Sequence, residues 1–323
     1  MKVGVTGVSG FVGSHCVREL LDHGHSVRGT VRDLSHPRAA RLNQQEGLTL
    51  VEADLTRDDG WEHALEGCEA VLHTASPLAL TEQVDTLVRP AVDGTLRVLR
   101  AAVSCGVQRV VLTSSTAAII HTQAEIYTEE HWSEPDQCTP YPLSKTLAER
   151  AAWDFVAAHP ALELVVCNPC LILGPLLTDR PSLSHSLVKR LLSRSMPALP
   201  RLGFSVVDVR DVASAHRLAL SAPHAAGNRY LLMSEHLWTR DVSEILIEAF
   251  GDQGYRPPTL HLPYPLLWLL GRFDPVVRAI LPDIDQHTHL DGAKARRELG
   301  WSPRSARASI IDTGQSLIDR GIV

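Results

Sequence analysis

Apolar residues in the first half of the chain follow two alternating periods. Runs with a period of two are typical of buried strands, and steps of three and four residues are typical of amphipathic helices. Strands are predicted around Val3 and Val5, at 26–31, 48–52, 70–73 and 110–113, and around Val165 and Val166. Helices are predicted from Val12 onward and at 61–65, 84–104 and 144–158. This alternation predicts an α/β fold, a Rossmann-type doubly wound parallel sheet with helices on both faces.

The second half of the chain is less regular. Residues 175–200 contain four prolines and are predicted to leave the sheet. A strand at 204–209, a helix at 211–220 and a strand at 228–233 are predicted next, and helices with proline-rich turns follow.

This change of pattern predicts two units. The 323 residues exceed a single unit of ~150 residues. We predict a Rossmann domain at 1–173, to which 203–233 returns, and a smaller discontinuous C-terminal lobe at 174–202 and 234–323. Ligands of such folds bind at the carboxyl ends of the parallel strands.

Composition excludes several classes of partner. Apolar residues make up 44% of the chain and charged residues 21%, as in soluble globular proteins. A net charge of −6 indicates no nucleic-acid partner. The longest apolar cluster, 262–270, is too short to span a bilayer, and the N-terminus is already a strand, so we expect no membrane partner. The six cysteines show no secreted disulfide pattern, which favours a cytoplasmic protein.

No metal is expected. Cys167 and Cys170 form a single C-x-x-C pair within a buried apolar run, which favours packing. A second group contains two acids and two imidazoles but suggests no open catalytic geometry: Asp283, Asp285, His287 and His289.

A glycine turn follows the first strand and opens the first helix. Gly7 allows the tight turn, Gly10 lets the backbone approach a pyrophosphate, and Gly13 lets the helix pack on the strand. Phe11 and Val12 begin the helix, whose free N–H groups and dipole favour an anion. A strand, a glycine turn and a helix in this order predict a dinucleotide site.

The end of the second strand selects the dinucleotide. An acid there would bind the ribose of NAD, but Val31 occupies the position and Arg32 follows, with Arg38 one loop further on. Two guanidiniums can bind a 2′-phosphate, so NADP(H) is predicted; the alternative is a solvated basic loop. Asp33 either repels this phosphate or caps the next turn. Asp54 is predicted to accept from the adenine amine or to cap a turn.

A tyrosine and a lysine four residues apart begin a helical run. Tyr141 and Lys145 therefore share a helical face. A cation beside a phenol lowers the phenol's pKa from ~10 toward a useful range. Lys145 is predicted to do this and to bind the nicotinamide ribose, while Tyr141 exchanges a proton with a carbonyl oxygen. Thr113, Ser114 and Ser115 end the fifth strand and supply a hydroxyl.

Together these motifs resemble the extended short-chain dehydrogenases/reductases. The resemblance covers most of the chain, and it is strongest to the dihydroflavonol reductase-like branch at 30–33, 73–77 and 144–153. It implies a catalytic triad of Ser115, Tyr141 and Lys145, with NADPH as reductant. The cofactor-binding residues expected from motifs and resemblance together are Gly7, Gly10, Phe11, Val12, Gly13, Arg32, Arg38, Asp54, Leu55, Thr74, Ala75, Ser76, Thr113, Tyr141, Lys145 and Pro169.

The chain departs from two plant subgroups of this branch. Ile120 replaces the asparagine of flavonoid-reducing members, and residues 139–142 lack the motif of the cinnamoyl-CoA reductases. Neither substrate is therefore inferred. An apolar pocket is predicted instead, lined by Ala75, Pro77, Leu78, Ala117, Ala118, Ile120, Pro169, Leu171, Leu173 and 262–273.

The predicted function is NADPH-dependent reduction of an aldehyde or ketone by a monomer or homodimer. Three alternatives stay open. Two are enzymes of the same fold, a nucleotide-sugar epimerase or dehydratase and a hydroxysteroid dehydrogenase. The third is a non-catalytic NADP(H) sensor.

Overall fold

A computed structural model describes residues 1–77, 84–178, 181–273 and 275–323. Ten strands lie in the described residues: β1 (Lys2–Thr6), β2 (Ser26–Val31), β3 (Leu48–Glu52), β4 (Ala70–His73), β5 (Arg109–Thr113), β6 (Glu163–Pro169), β7 (Leu171–Leu173), β8 (Gly203–Asp208), β9 (Arg229–Leu232) and β10 (Glu235–Trp238). Twelve α-helices accompany them: α1 (Phe11–Asp22), α2 (Pro37–Leu42), α3 (Trp61–Leu65), α4 (Val84–Ser104), α5 (Pro140–Ala157), α6 (Ser186–Leu192), α7 (Val209–Ser221), α8 (Thr239–Phe250), α9 (Tyr264–Leu270), α10 (Pro275–Ile280), α11 (Ala293–Leu299) and α12 (Ala306–Asp319).

Seven strands form a parallel sheet in the order β3-β2-β1-β4-β5-β6-β9. Its central strands are apolar on both faces, and Val3, Val71 and Val110 are fully buried. Such runs require helices on both sides of the sheet. The predicted Rossmann fold is confirmed, and the carboxyl ends of β1, β4 and β5 lie at one edge of the sheet.

The chain divides into two compact units, each made of three segments. The first contains Met1–Pro169, Arg210–Leu232 and Asp291–Ser302. The second contains Cys170–Val209, Met233–Leu290 and Pro303–Val323.

Several boundaries differ from the prediction. Residues 170–173 and Met233, predicted in the Rossmann domain, belong to the second unit, and two longer segments are also assigned differently. Residues 203–209 do not return to the parallel sheet, because β8 pairs with β7 and β10 in a separate three-stranded sheet of the second unit. Residues 291–302, predicted in the lobe, belong to the first unit. There the Trp301 indole donates to the carbonyl oxygen of Asp211 (2.8 Å), and Lys294 Nζ donates to Asn228 Oδ1 (2.8 Å).

No helix in the described part of the chain is long and apolar enough to span a bilayer. The described ranges also contain no group of three or more His, Cys, Asp or Glu side chains arranged to hold a metal ion. The His287 ring packs at a tilt against those of His236 and His289, with ring centres 3.9 and 4.0 Å away.

Candidate active site

The glycine turn between β1 and α1 is closed by its own backbone. Gly7 has φ +70°, and its carbonyl oxygen accepts from the amide of Gly10 (2.9 Å). A Cβ at Gly13 would overlap that same oxygen and would lie 2.9 Å from Thr74 Oγ1. Gly10 provides no side-chain cap to α1. The turn therefore leaves backbone donors at the start of a twelve-residue helix, where a phosphate can approach.

Gly13→Ala is expected to lower the free energy of unfolding by about 2 kcal/mol, because a Cβ overlapping backbone outweighs the better helix propensity of alanine. Urea unfolding measures the change. Gly251→Ala is the matched control, because its Cβ would come no closer than 3.4 Å to a flexible arginine side chain. Equal stability of Gly13→Ala and wild type would contradict the tight packing of this turn.

Hydrogen bonds hold the turn against two neighbouring strands. Thr6 Oγ1 accepts from the amide of Ala75 (3.0 Å), and Thr74 Oγ1 donates to the carbonyl oxygen of Thr6 (2.6 Å). The amide of Gly7 donates to Thr30 Oγ1 (3.1 Å). Residues predicted from three separate motifs are therefore brought together at one edge of the sheet.

The residues predicted to bind the adenosine half of the dinucleotide follow β2 and β3. Val31 is buried and Arg32 is exposed, so the guanidinium rather than the apolar side chain faces solvent. Asp33 Oδ1 accepts from the amide and hydroxyl of Ser35 (2.8 and 2.6 Å), and these bonds lower its pKa. Of its two predicted roles, capping the turn is the one observed. Arg38 is half-buried in the first turn of α2.

Asp54 also caps a turn. Its Oδ1 accepts from the amide and the hydroxyl of Thr56, both at 2.8 Å. Burial raises the pKa of Asp54, but these bonds and the charge of Arg32 outweigh it, so the pKa is lowered and the carboxylate is ionised near pH 7. The remaining predicted contacts lie at the ends of β3, β4 and β6: Leu55 and Ser76 are half-buried, and Pro169 is buried.

Ser115 and Tyr141 meet at the end of β5. Ser115 Oγ accepts from the amide of Ala117 (3.1 Å), and the Ser115 side chain lies near enough to the Tyr141 phenol to act on its pKa. Burial raises the pKa of Tyr141, and the Ser115 hydroxyl only partly opposes this rise. The predicted lowering by Lys145 is therefore wrong for the protein in this state, because desolvation of the phenolate dominates.

Lys145 lies one turn further along α5 and is buried. Its Nζ donates to the carbonyl oxygen of Thr113 (3.3 Å). Burial lowers the pKa of Lys145 to about 8, against the opposing effect of Glu149. The ammonium form therefore predominates at pH 7 and is lost as the pH rises through about 8.

His216 fixes Thr113 from the other side. Its Nδ1 lies 2.7 Å from the carbonyl oxygen of Val212, so Nδ1 carries the proton. Its Nε2 then accepts from the Thr113 hydroxyl at 2.6 Å. Burial lowers the pKa of His216 to about 4, which keeps it neutral. Sequence reasoning gave this histidine no role, because α7 lies far from Thr113 along the chain.

Comparisons with known proteins agree with this architecture. A model of the NAD dependent epimerase/dehydratase family matches residues 3–232. The chain is 39% identical over 267 residues to cinnamoyl-CoA reductase 1 of Petunia hybrida, which covers 79% of this chain and 78% of the relative. The crystal structure of yeast methylglyoxal/isovaleraldehyde reductase Gre2 complexed with NADPH matches with a TM-score of 0.83 and 27% identity, over 100% of both chains. Vestitone reductase from alfalfa matches with a TM-score of 0.78 and 25% identity, over 100% of this chain and 99% of that one.

The parallel sheet and its glycine turn define a Rossmann-type protein. The chain belongs to the NAD-dependent epimerase/dehydratase family, the extended short-chain dehydrogenases/reductases, and within it to the dihydroflavonol reductase-like branch. The family and the oxidoreductase class predicted from sequence are confirmed.

Proposed function

We propose that the chain is an NADPH-dependent carbonyl reductase that converts an aldehyde or ketone to an alcohol, with Ser115, Tyr141 and Lys145 as its catalytic residues. The observation that carries this proposal is the closeness of the Ser115 side chain to the Tyr141 phenol, with the buried Lys145 one helical turn further along α5. These groups lie at the same sheet edge as the glycine turn.

The residues present fit NADP(H). The turn at Gly7 and Gly13 has no room for a Cβ, as expected where a backbone must approach a pyrophosphate. Arg32, assisted by Arg38, would bind the 2′-phosphate, and Asp54 the adenine amine. Lys145 would bind the nicotinamide ribose. The other proposed contacts are Gly10, Phe11, Val12, Leu55, Thr74, Ala75, Ser76, Thr113, Tyr141 and Pro169.

The proposed reaction divides its work between cofactor and side chains. Bound NADPH supplies the hydride that adds to the carbonyl carbon. Tyr141 donates its proton to the carbonyl oxygen, and Ser115 donates a hydrogen bond to the same oxygen. The raised pKa of Tyr141 keeps the phenol protonated at pH 7, which is the form that donation requires. The Lys145 ammonium stabilises the phenolate left behind.

Only some of the residues predicted to line an apolar pocket offer exposed surface. Ala117 and Ala118 are buried beneath Ser115 and offer little surface. Ala75, Pro77 and Ile120 are partly exposed, and Leu78 lies outside the described residues. In the second unit Leu173 is buried, and α9 with the turn after it exposes Trp268 and Phe273. Apolar surface of this kind favours apolar substrates at ~25 cal/mol per Å² buried.

We therefore expect higher kcat/KM for aromatic and medium-chain aldehydes and ketones than for sugar nucleotides. Efficiency should rise with apolar bulk along a homologous series until the pocket is filled. NADPH oxidation over a panel of carbonyls, steroids and nucleotide sugars measures this. A preference for a UDP- or GDP-sugar, with no activity on simple carbonyls, would contradict the substrate class and favour the epimerase or dehydratase alternative.

Reduction of a coenzyme A thioester to an aldehyde is a second candidate, favoured by the 39% identity to a cinnamoyl-CoA reductase. Hydride would add to the carbonyl carbon, and collapse of the tetrahedral adduct would break the C–S bond and release the thiolate, which takes up a proton. One free coenzyme A should therefore appear for the first NADPH consumed, and a second NADPH is consumed only if the aldehyde is reduced further to the alcohol. Adding cinnamoyl-CoA to the panel separates the two substrates. NADP(H) binding without turnover on any member would support the sensor alternative instead.

A further inference from the structure

A fully buried carboxylate lies one helical turn beyond Lys145. Glu149 is 0% exposed and follows Lys145 by four residues on α5, so both share a helical face. Glu149 Oε2 accepts from Ser114 Oγ (2.5 Å) and Asn168 Nδ2 (2.8 Å). Its Oε1 accepts from Arg229 Nε at 2.6 Å. The carboxylate thus joins the ends of β5 and β6 to β9.

Arg229 is held independently of Glu149. Its Nη1 donates to the carbonyl oxygens of Glu129 (2.7 Å) and His131 (2.6 Å). Its guanidinium carbon lies 3.8 Å from the centre of the Trp132 ring. These contacts keep the cation in place when the carboxylate is neutralised, so its charge continues to act on the surroundings.

A contribution to folding stability does not by itself explain why Glu149 and Arg229 form a buried ion pair. Moving two charges out of water costs several kcal/mol per ion, and well-packed apolar residues often replace a buried ion pair without loss of stability. What apolar residues cannot supply is a fixed negative charge next to the buried Lys145 ammonium. In a protein interior, a charge one helical turn away acts strongly on an ammonium group.

We propose that Glu149 and Arg229 are positioning residues for Lys145, with Glu149 holding it in the ammonium form and Arg229 limiting that effect. This inference rests on the proposed function, in which that ammonium binds ribose and assists Tyr141. Glu149 touches neither reacting atoms nor cofactor in this scheme and acts only through Lys145.

Four other titratable groups near Lys145 or Glu149 are neutral near pH 7: His73, His216, Tyr141 and Cys167. Burial, and secondarily Lys145, lower the pKa of His73 on β4 to about 3. His216 on α7 is neutral, as described above. Burial raises the pKa of Tyr141 on α5 and of Cys167 on β6. Among the residues named here, Glu149 is the charge that acts on Lys145, and Arg229 is the cation paired with Glu149.

Removing each of the two charges should shift the pKa of Lys145 in opposite directions. Removing a neighbouring negative charge disfavours an ammonium, so Glu149→Gln should lower the pKa of Lys145 below about 8. Removing a neighbouring positive charge favours an ammonium, so Arg229→Gln should raise it. Shifts of about one pH unit are expected in each direction. If Glu149 and Arg229 served only to stabilise the fold, the two substitutions would not be expected to shift the pKa of Lys145 in opposite directions.

Lysine NMR can measure this directly, because the chain has only four lysines: Lys2, Lys145, Lys189 and Lys294. Protein containing isotope-labelled lysine is titrated without cofactor, and the Lys145 signal is assigned by its loss in Lys145→Met. Asp154→Asn is the matched control, because it removes an exposed carboxylate from the same helix and should leave the midpoint unchanged. The double variant Glu149→Gln/Arg229→Gln should lie between the single variants.

Opposite shifts in the two single variants support the proposal. An unchanged midpoint, or shifts of the same sign, would overturn it. If Glu149→Gln does not fold, the remaining variants still test the proposal, because the Lys145 midpoint should be higher in Arg229→Gln than in the double variant. The pH at which kcat/KM falls on the alkaline side should rank the variants in the same order as the Lys145 midpoints measured by NMR. Opposite NMR shifts in a protein that reduces no carbonyl would reject the proposed function while leaving the electrostatic coupling intact.

Discussion

Tyr141→Phe is expected to lower kcat by about 10²–10⁴-fold, the usual contribution of a positioned acid, while NADPH affinity and stability stay near those of the wild type. The reason is that phenylalanine keeps the packing of the ring but removes the proton that the carbonyl oxygen must receive. The Ser115 hydroxyl remains in place, capping the turn at Ala117. Steady-state NADPH oxidation and a separate binding titration measure the two effects.

Tyr255→Phe is the control for that experiment. Its hydroxyl makes only a long bond of 3.5 Å to the carbonyl oxygen of Val323, in the second unit, so turnover should not change. Wild-type kcat in Tyr141→Phe would assign the proton donor to a different group and would leave the Ser115–Tyr141 pair without a catalytic role.

Arg32→Ala should weaken NADPH binding by roughly tenfold or more and leave NADH binding almost unchanged. A hydrogen bond to a charged group contributes ~1.5–3 kcal/mol, and only NADPH carries the 2′-phosphate that would form it. Dissociation constants for both dinucleotides, measured by fluorescence titration, give the selectivity ratio. Arg41→Ala removes another exposed arginine from the neighbouring helix α2 and should not alter that ratio. Equal efficiencies with NADH and NADPH in the wild type would contradict the proposed phosphate site.

The sequence predicted the parallel sheet because its signals are local. Strands buried on both faces are continuous apolar runs, and the glycine spacing after β1 fixes which strand leads into which helix. The second unit was harder to predict for a physical reason. Residues 204–209 have the composition of a buried strand, but composition does not specify a partner, and β8 pairs with β7 and β10 instead of the large sheet.

The same distinction applies to the site. Ser115, Tyr141 and Lys145 could be selected from short motifs, and the structure places the side chains of the first two near each other. Glu149 and Arg229 could not be paired from short motifs, because 80 residues separate them along the chain. The sign of the Tyr141 shift was also wrong, since a sequence reveals a neighbouring cation but not the burial that outweighs it.

The three-segment construction of each unit constrains how this protein can be altered. Five chain crossings connect the units, and the short return at 291–302 bonds to the first unit through Trp301 and Lys294. Cutting the gene after residue 232 would remove those bonds along with the second unit. A chimaera that borrows a whole second unit from a relative would need splices at every crossing. New substrate preferences are therefore reached most directly by point substitution within the existing chain.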